Sequence, residues 1–195
     1  LKIPSNSVTK IFETIDNDIL LGDAKGVSKF NWEKDKFFSL NILPKDTRVY
    51  ALEEDEKYLW IGTYYNGLYR YNKSNRYLIN FSNEDEEGIS DNLIYDLLID
   101  HKDRLWIATN NGLNLLKKDS LKFKKYFSDG KDKKLLGSNV IRDLYQDSDK
   151  NIWIAMTGGG IAKYNEKTDS FKSLTKSDGL PSNIILSINE SVNDN

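Results

Sequence analysis

Groups able to do chemistry are scarce in this chain of 195 residues. There is one histidine, His101, and there are no cysteines. A Ser-His-Asp relay needs an imidazole held between two partners, and a zinc site needs several nitrogen or sulfur ligands, so neither can be built around one histidine. The surrounding Asp100-His101-Lys102-Asp103 reads as an exposed turn. Asp147-Ser148-Asp149-Lys150-Asn151 imitates the start of a calcium loop. However, Ile152 stands where the loop needs its glycine, and Gly158 where it needs a bidentate glutamate. Gly158-Gly159-Gly160 lacks the Lys-Ser/Thr of a phosphate loop and reads as a turn with positive φ. Carboxylates are plentiful, as in Glu53-Glu54-Asp55-Glu56, but no spacing sets a pair across a cleft. No catalytic residue, no metal ligand and no cofactor is expected, and the chain reads as a non-enzyme.

What remains is recognition. Arg48, Tyr50, Tyr64, Tyr65, Tyr95 and Arg142 combine flat apolar area with hydrogen bonding, and Asn66, Asn110, Asn111 and Thr157 stand beside them in polar loops. Such a set suits the faces and hydroxyls of a sugar. These ten are the candidate ligand-binding residues.

The elements that must position them repeat. Leu59-Trp60-Ile61-Gly62-Thr63 returns as Leu105-Trp106-Ile107-Ala108-Thr109 and as Ile152-Trp153-Ile154-Ala155-Met156, at spacings of 46 and 47 residues. Short strand-like units at a period of roughly 40 to 50 residues are the pattern of a β-propeller blade. Each unit opens near an asparagine (Asn6, Asn92, Asn139, Asn183, with Thr47 once), followed by apolar residues three apart, such as Val49 and Leu52. A polar turn, the Trp run, a glycine turn, a third strand and a last aromatic run complete it. Leu20 replaces the tryptophan in the first unit.

The expected fold is all-β and of β-propeller type, with four four-stranded antiparallel blades at about 6–43, 47–82, 92–128 and 139–176. An extra strand at 183–190 would start a fifth, so the chain reads as a fragment of a larger propeller. Trp60, Trp106 and Trp153 are expected to pack between blades, and the small Gly62, Ala108 and Ala155 to leave room for the neighbouring sheet.

A net charge of −2 favours neither nucleic acid nor an anionic membrane as partner. No run approaches the roughly 18 to 20 apolar residues of a membrane span. Missing cysteines exclude a disulfide scaffold without fixing a compartment. Exposed faces of a partial ring invite self-association or contact with remaining blades of a parent protein.

Asp178-Gly179-Leu180-Pro181-Ser182-Asn183, an apolar strand, an acidic turn, the Leu59–Thr63 run and Gly67-Leu68-Tyr69 together resemble the two-component regulator propeller repeat. That repeat is found in the sensor regions of bacterial hybrid histidine kinases. The resemblance implies an extracytoplasmic, periplasmic or cell-surface sensor within a membrane-anchored receptor, with oligosaccharide ligands in several members. The alternative is a self-assembling structural or protein-interaction module without a small-molecule ligand.

Overall fold

A computed structural model describes residues 6–117, 120–132 and 134–191. The turn at Lys117-Lys118-Asp119-Ser120 therefore lies partly outside the described residues. Sixteen strands form four sheets, each a meander of four antiparallel strands in chain order. The first sheet holds β1 (Val8–Glu13), β2 (Ile19–Asp23), β3 (Gly26–Asn31) and β4 (Lys36–Ser39). The second holds β5 (Val49–Glu54), β6 (Tyr58–Thr63), β7 (Leu68–Asn72) and β8 (Leu78–Phe81). The third holds β9 (Ile94–Ile99), β10 (Leu105–Thr109), β11 (Gly112–Leu116) and β12 (Phe123–Tyr126). The fourth holds β13 (Ile141–Gln146), β14 (Ile152–Met156), β15 (Gly160–Asn165) and β16 (Ser170–Leu174). The chain divides into two compact units between Leu97 and Leu98, inside β9.

Each unit has its own core. In the first, Leu20, Val27, Val49, Leu52, Leu59, Ile61 and Tyr69 are buried together. In the second, Trp106 is fully buried among Leu113, Ile141, Leu144, Ile154, Met156 and Phe171. Its indole lies edge-on to Tyr164 of the next sheet at 4.9 Å, which is the inter-blade packing expected of it. Trp60 is also buried. Trp153 is half-buried.

The small residues of the second strand do let sheets approach. A Cβ on Gly22 would lie 2.7 Å from Val49 Cγ1, and one on Gly62 would lie 2.6 Å from Ile94 Cγ2. The glycine turn is equally constrained. Gly67 has φ +74°, and a Cβ there would meet the Phe81 carbonyl at 2.3 Å.

The repeated asparagine joins one blade to the next. Asn92 accepts the Gly67 amide on its carbonyl (3.1 Å) and the Asn83 amide on its side chain (2.9 Å). Asn139 does the same for Gly112 (2.7 Å) and Ser128 (2.6 Å). Asn183 repeats the arrangement for Gly160 (3.0 Å) and Lys176 (2.7 Å). The extra strand expected after it is not formed. Ile184 makes one isolated bridge to Thr157, and residues 185–191 have no regular structure. In the four sheets the first strand pairs with a second, and none follows here within the described residues. The segment is held instead by single bonds: the Ile188 amide to Asp143 (2.7 Å), and the Ser148 hydroxyl to Glu190 (2.8 Å).

Candidate functional site

A β-bulge sits at the start of the first strand in three sheets. The pairing register slips between Val8 and Lys10, between Val49 and Ala51, and between Ile141 and Asp143. The unpaired residues are therefore Thr9, Tyr50 and Arg142. A bulge frees one residue from the ladder and re-aims its side chain. Two of the ten candidates, Tyr50 and Arg142, owe their position to this device.

In the first unit the candidates cluster. The Tyr50 and Tyr64 rings are 5.1 Å apart, and those of Tyr64 and Tyr65 4.1 Å. The Arg48 guanidinium lies 5.4 Å from the Tyr64 ring centre and 5.6 Å from that of Tyr50. Backbone geometry fixes the group, since the Tyr64 amide donates to the Arg48 carbonyl at 3.0 Å. Arg48 reaches the Ser7 hydroxyl through Nη2 at 3.4 Å, while its Nε is buried without a partner. Tyr65 is 62% exposed and donates to the Tyr64 hydroxyl at 3.5 Å. That bond and the nearby Tyr64 phenol push the Tyr65 hydroxyl above its ordinary pKa, with smaller contributions from burial, Tyr95 and Asp91. Tyr95 thus stands near the same group. Asn66 is exposed in the glycine turn, where its amide donates to the Thr63 hydroxyl at 2.9 Å.

In the second unit the Arg142 Nε donates to the Thr157 hydroxyl at 3.0 Å. Thr157 is held by its amide on the Val140 carbonyl (2.9 Å), and its carbonyl accepts the Ser138 hydroxyl (2.7 Å). Asn110 and Asn111 are exposed after β10, and the Asn111 amide donates to Thr109 at 3.2 Å. Arg142 and Thr157 are thus joined directly, while Asn110 and Asn111 occupy the glycine turn of the preceding sheet.

A third group lies along the first strands of the first unit. Lys10 in β1 bonds to Asp96 in β9 at 3.1 Å, and Glu53 in β5 faces both. Burial pushes the Glu53 carboxyl up to about 8, against the pull of Lys10 and with the repulsion of Asp96.

The residues set aside as chemistry have structural partners. His101 is exposed, with Nδ1 2.8 Å from the Gln146 amide nitrogen. Asp147 is occupied by the Trp153 indole (2.7 Å), the Asn151 amide (2.7 Å) and the Asn151 side chain (2.8 Å). Gly158 and Gly160 both direct their amides at the Asn183 carbonyl, away from any phosphate. No group of three or more potential metal ligands occurs among the described residues.

Sequence reasoning missed one repeated contact. The indole of each of the three repeat tryptophans donates to an aspartate in the preceding turn: Trp60 to Asp55 (3.0 Å), Trp106 to Asp100 (2.8 Å) and Trp153 to Asp147 (2.7 Å). In the first sheet, where the Leu20 side chain has no N–H to donate, Thr14 stands in the aspartate's place and caps the same turn by accepting the Asp18 amide at 3.0 Å. Acid and indole are absent together from this sheet, which was the available signal.

Comparison with known proteins agrees with this architecture. The family model described as two component regulator propeller matches residues 88–111 and 135–158. The resemblance noted in the sequence is borne out over those two repeats. Histidine kinase P4 of Formosa agariphila is 29% identical over 96 residues, covering 46% of this chain and 7% of the kinase. Among solved structures, the extracellular domain of a protein described as a hybrid two component system from B. thetaiotaomicron is similar with a TM-score of 0.68. The identity is 24%, covering 89% of this chain and 22% of that one. Virginiamycin B lyase from Staphylococcus aureus is similar with a TM-score of 0.66 at 11% identity, over 89% of this chain and 57% of the lyase. The chain thus spans well under two thirds of each. The fold is of the β-propeller type, as expected.

Proposed function

We propose that this chain is a non-enzymatic sensing segment of a two-component receptor, displayed outside the cytoplasm. In this reading it binds its ligand at the Arg48, Tyr50, Tyr64 and Tyr65 cluster. The observation that carries the reading is the bulge at Tyr50, which sets one phenol beside two others under a guanidinium. Stacked phenols offer flat apolar faces to the C–H side of a sugar ring, and the hydroxyls and guanidinium meet its oxygens. An oligosaccharide is the ligand class this chemistry fits best. The matched repeats, together with the likeness to a histidine kinase and to the extracellular domain of a hybrid two component system, support the sensing role and its location. Further blades of a parent receptor, or a second copy, are the partners in this reading.

A thermal-shift screen of neutral oligosaccharides tests it. A hit raises the melting temperature by mass action, and Tyr64→Ala weakens that hit by about tenfold or more without lowering the melting temperature of the free protein by much. A panel without hits, or a hit indifferent to Tyr64→Ala, contradicts the assignment. A second reading, self-assembly without a small ligand, is favoured by the exposure of Ile184 (56%) and Leu186 (65%). A mass that rises with concentration in light scattering, with no ligand response, would select it.

A further inference from the structure

Both units contain one interface between successive sheets, and the two are filled differently. Between the third and fourth sheets, Trp106, Tyr126, Tyr164 and Phe171 form a continuous aromatic packing. Asp169 closes it by accepting the Tyr126 hydroxyl (2.7 Å), the Tyr164 hydroxyl (2.8 Å) and the Lys124 ammonium. Strand registers identify the counterparts between the first and second sheets. Leu20 stands where Trp106 does, Leu40 where Tyr126 does and Leu78 where Phe171 does. Tyr71 keeps the place of Tyr164. Leucines stand at three aromatic positions, and at two of them, Leu20 and Leu40, a cleft of about 580 Å³ opens beside Leu59 and Tyr71. That volume lies within the range of small-molecule sites.

The charge at the rim is also changed. Arg76 takes the place of Asp169, both with positive φ (+61° and +51°). Lys29 is paired with Asp18, and Lys73 with Glu54 at 3.1 Å. Arg76 and Asp16, both exposed at the rim, have no such pairing among the described residues. One free cation and one free anion thus border a floor from which aromatic rings are missing.

We infer that this cleft binds a free aromatic amino acid, whose ring replaces the absent indole against Tyr71, whose carboxylate meets Arg76 and whose ammonium meets Asp16. The site is separate from the tyrosine cluster and does not depend on an oligosaccharide ligand. At the equivalent interface between the third and fourth sheets, the Trp106 indole stands edge-on to Tyr164 at 4.9 Å, the arrangement a bound ring would take against Tyr71. Cation and carboxylate pairing then sets the orientation.

Calorimetric titration of the whole chain with L-tryptophan, tryptamine and indole-3-acetate tests the inference. Tryptophan is expected to bind about tenfold more tightly than either single-charge analogue. Arg76→Asn, which suits the positive φ, removes its advantage over tryptamine, and Asp16→Asn its advantage over indole-3-acetate. Leu20→Trp fills the cleft, abolishes binding and raises the melting temperature. Should Leu20→Trp fail to fold, the two rim variants decide alone. Absence of tryptophan binding at millimolar concentration overturns the inference, as does equal affinity for all three probes or binding that survives Leu20→Trp in the folded protein.

Discussion

Asp100 shows how one side chain can tie a turn, an indole and a neighbouring sheet together. Its carboxylate is fully buried and accepts from the Trp106 indole (2.8 Å), the Arg104 Nε (2.7 Å) and the Lys102 amide (2.9 Å). Burial alone would raise its pKa, but those bonds outweigh it and hold the carboxyl below its ordinary value. Arg104 also reaches Glu166 on the next sheet at 2.7 Å, so the turn, the indole and the neighbouring blade are tied through one acid. Asp100→Ala strands a buried guanidinium edge and an indole N–H together. The expected loss is about 3–5 kcal/mol in chemical denaturation, against less than about 1 kcal/mol for Asp149→Ala in an exposed turn. Equal effects would mean that the indole bond carries no stability. The spacing of acid and tryptophan was present in the sequence, but an aspartate in a turn has an ordinary role of its own. Its second role appears only once the next strand folds the indole back over the turn.

At the scale of the strand, the apolar residues three apart had a meaning that spacing alone did not disclose. Alternate residues of an unbroken strand share a face, so Val49 and Leu52 should point to opposite sides. They instead join one buried cluster, because the bulge at Tyr50 shifts the parity between them. The same bulge turns Tyr50 toward Arg48 and Tyr64, so core and candidate site depend on one irregularity. Strands, turns and the need for small residues at Gly22 and Gly62 were legible from the repeat. The bulge was not, since an inserted residue leaves the composition of a strand unchanged. The first strands also make the pH response. Glu53 has its carboxyl raised from 4.5 to about 8 by burial, with Asp96 repelling and Lys10 attracting its charge. The folded state therefore holds a proton there that the unfolded state has released. That contribution is complete at low pH and is lost as pH rises between 4.5 and about 8. The melting temperature should fall over that interval, and Glu53→Gln should flatten the fall and be the more stable form at its upper end. An unchanged slope in the variant would contradict the burial of Glu53 as a proton-binding site.

For the molecule as a whole, repetition is informative where it fails. Four sheets with one plan let each be checked against the others, and the departures (Leu20 for tryptophan, Arg76 for Asp169) gather at a single cleft. The candidate loops, by contrast, were legible only as residue types near turns. Which of them meet depends on backbone register: Arg48, Tyr50, Tyr64 and Tyr65 form one group in the first unit, and Arg142 with Thr157 forms a pair in the second. Labelling the tyrosine rings for NMR tests whether the tyrosine cluster binds ligand. On titration with an oligosaccharide from the thermal screen, the signals of Tyr50, Tyr64 and Tyr65 should move together and saturate, while those of Tyr126 and Tyr164 stay fixed. Saturating shifts confined to other tyrosines, or none at a concentration that stabilises the protein, would contradict the assignment.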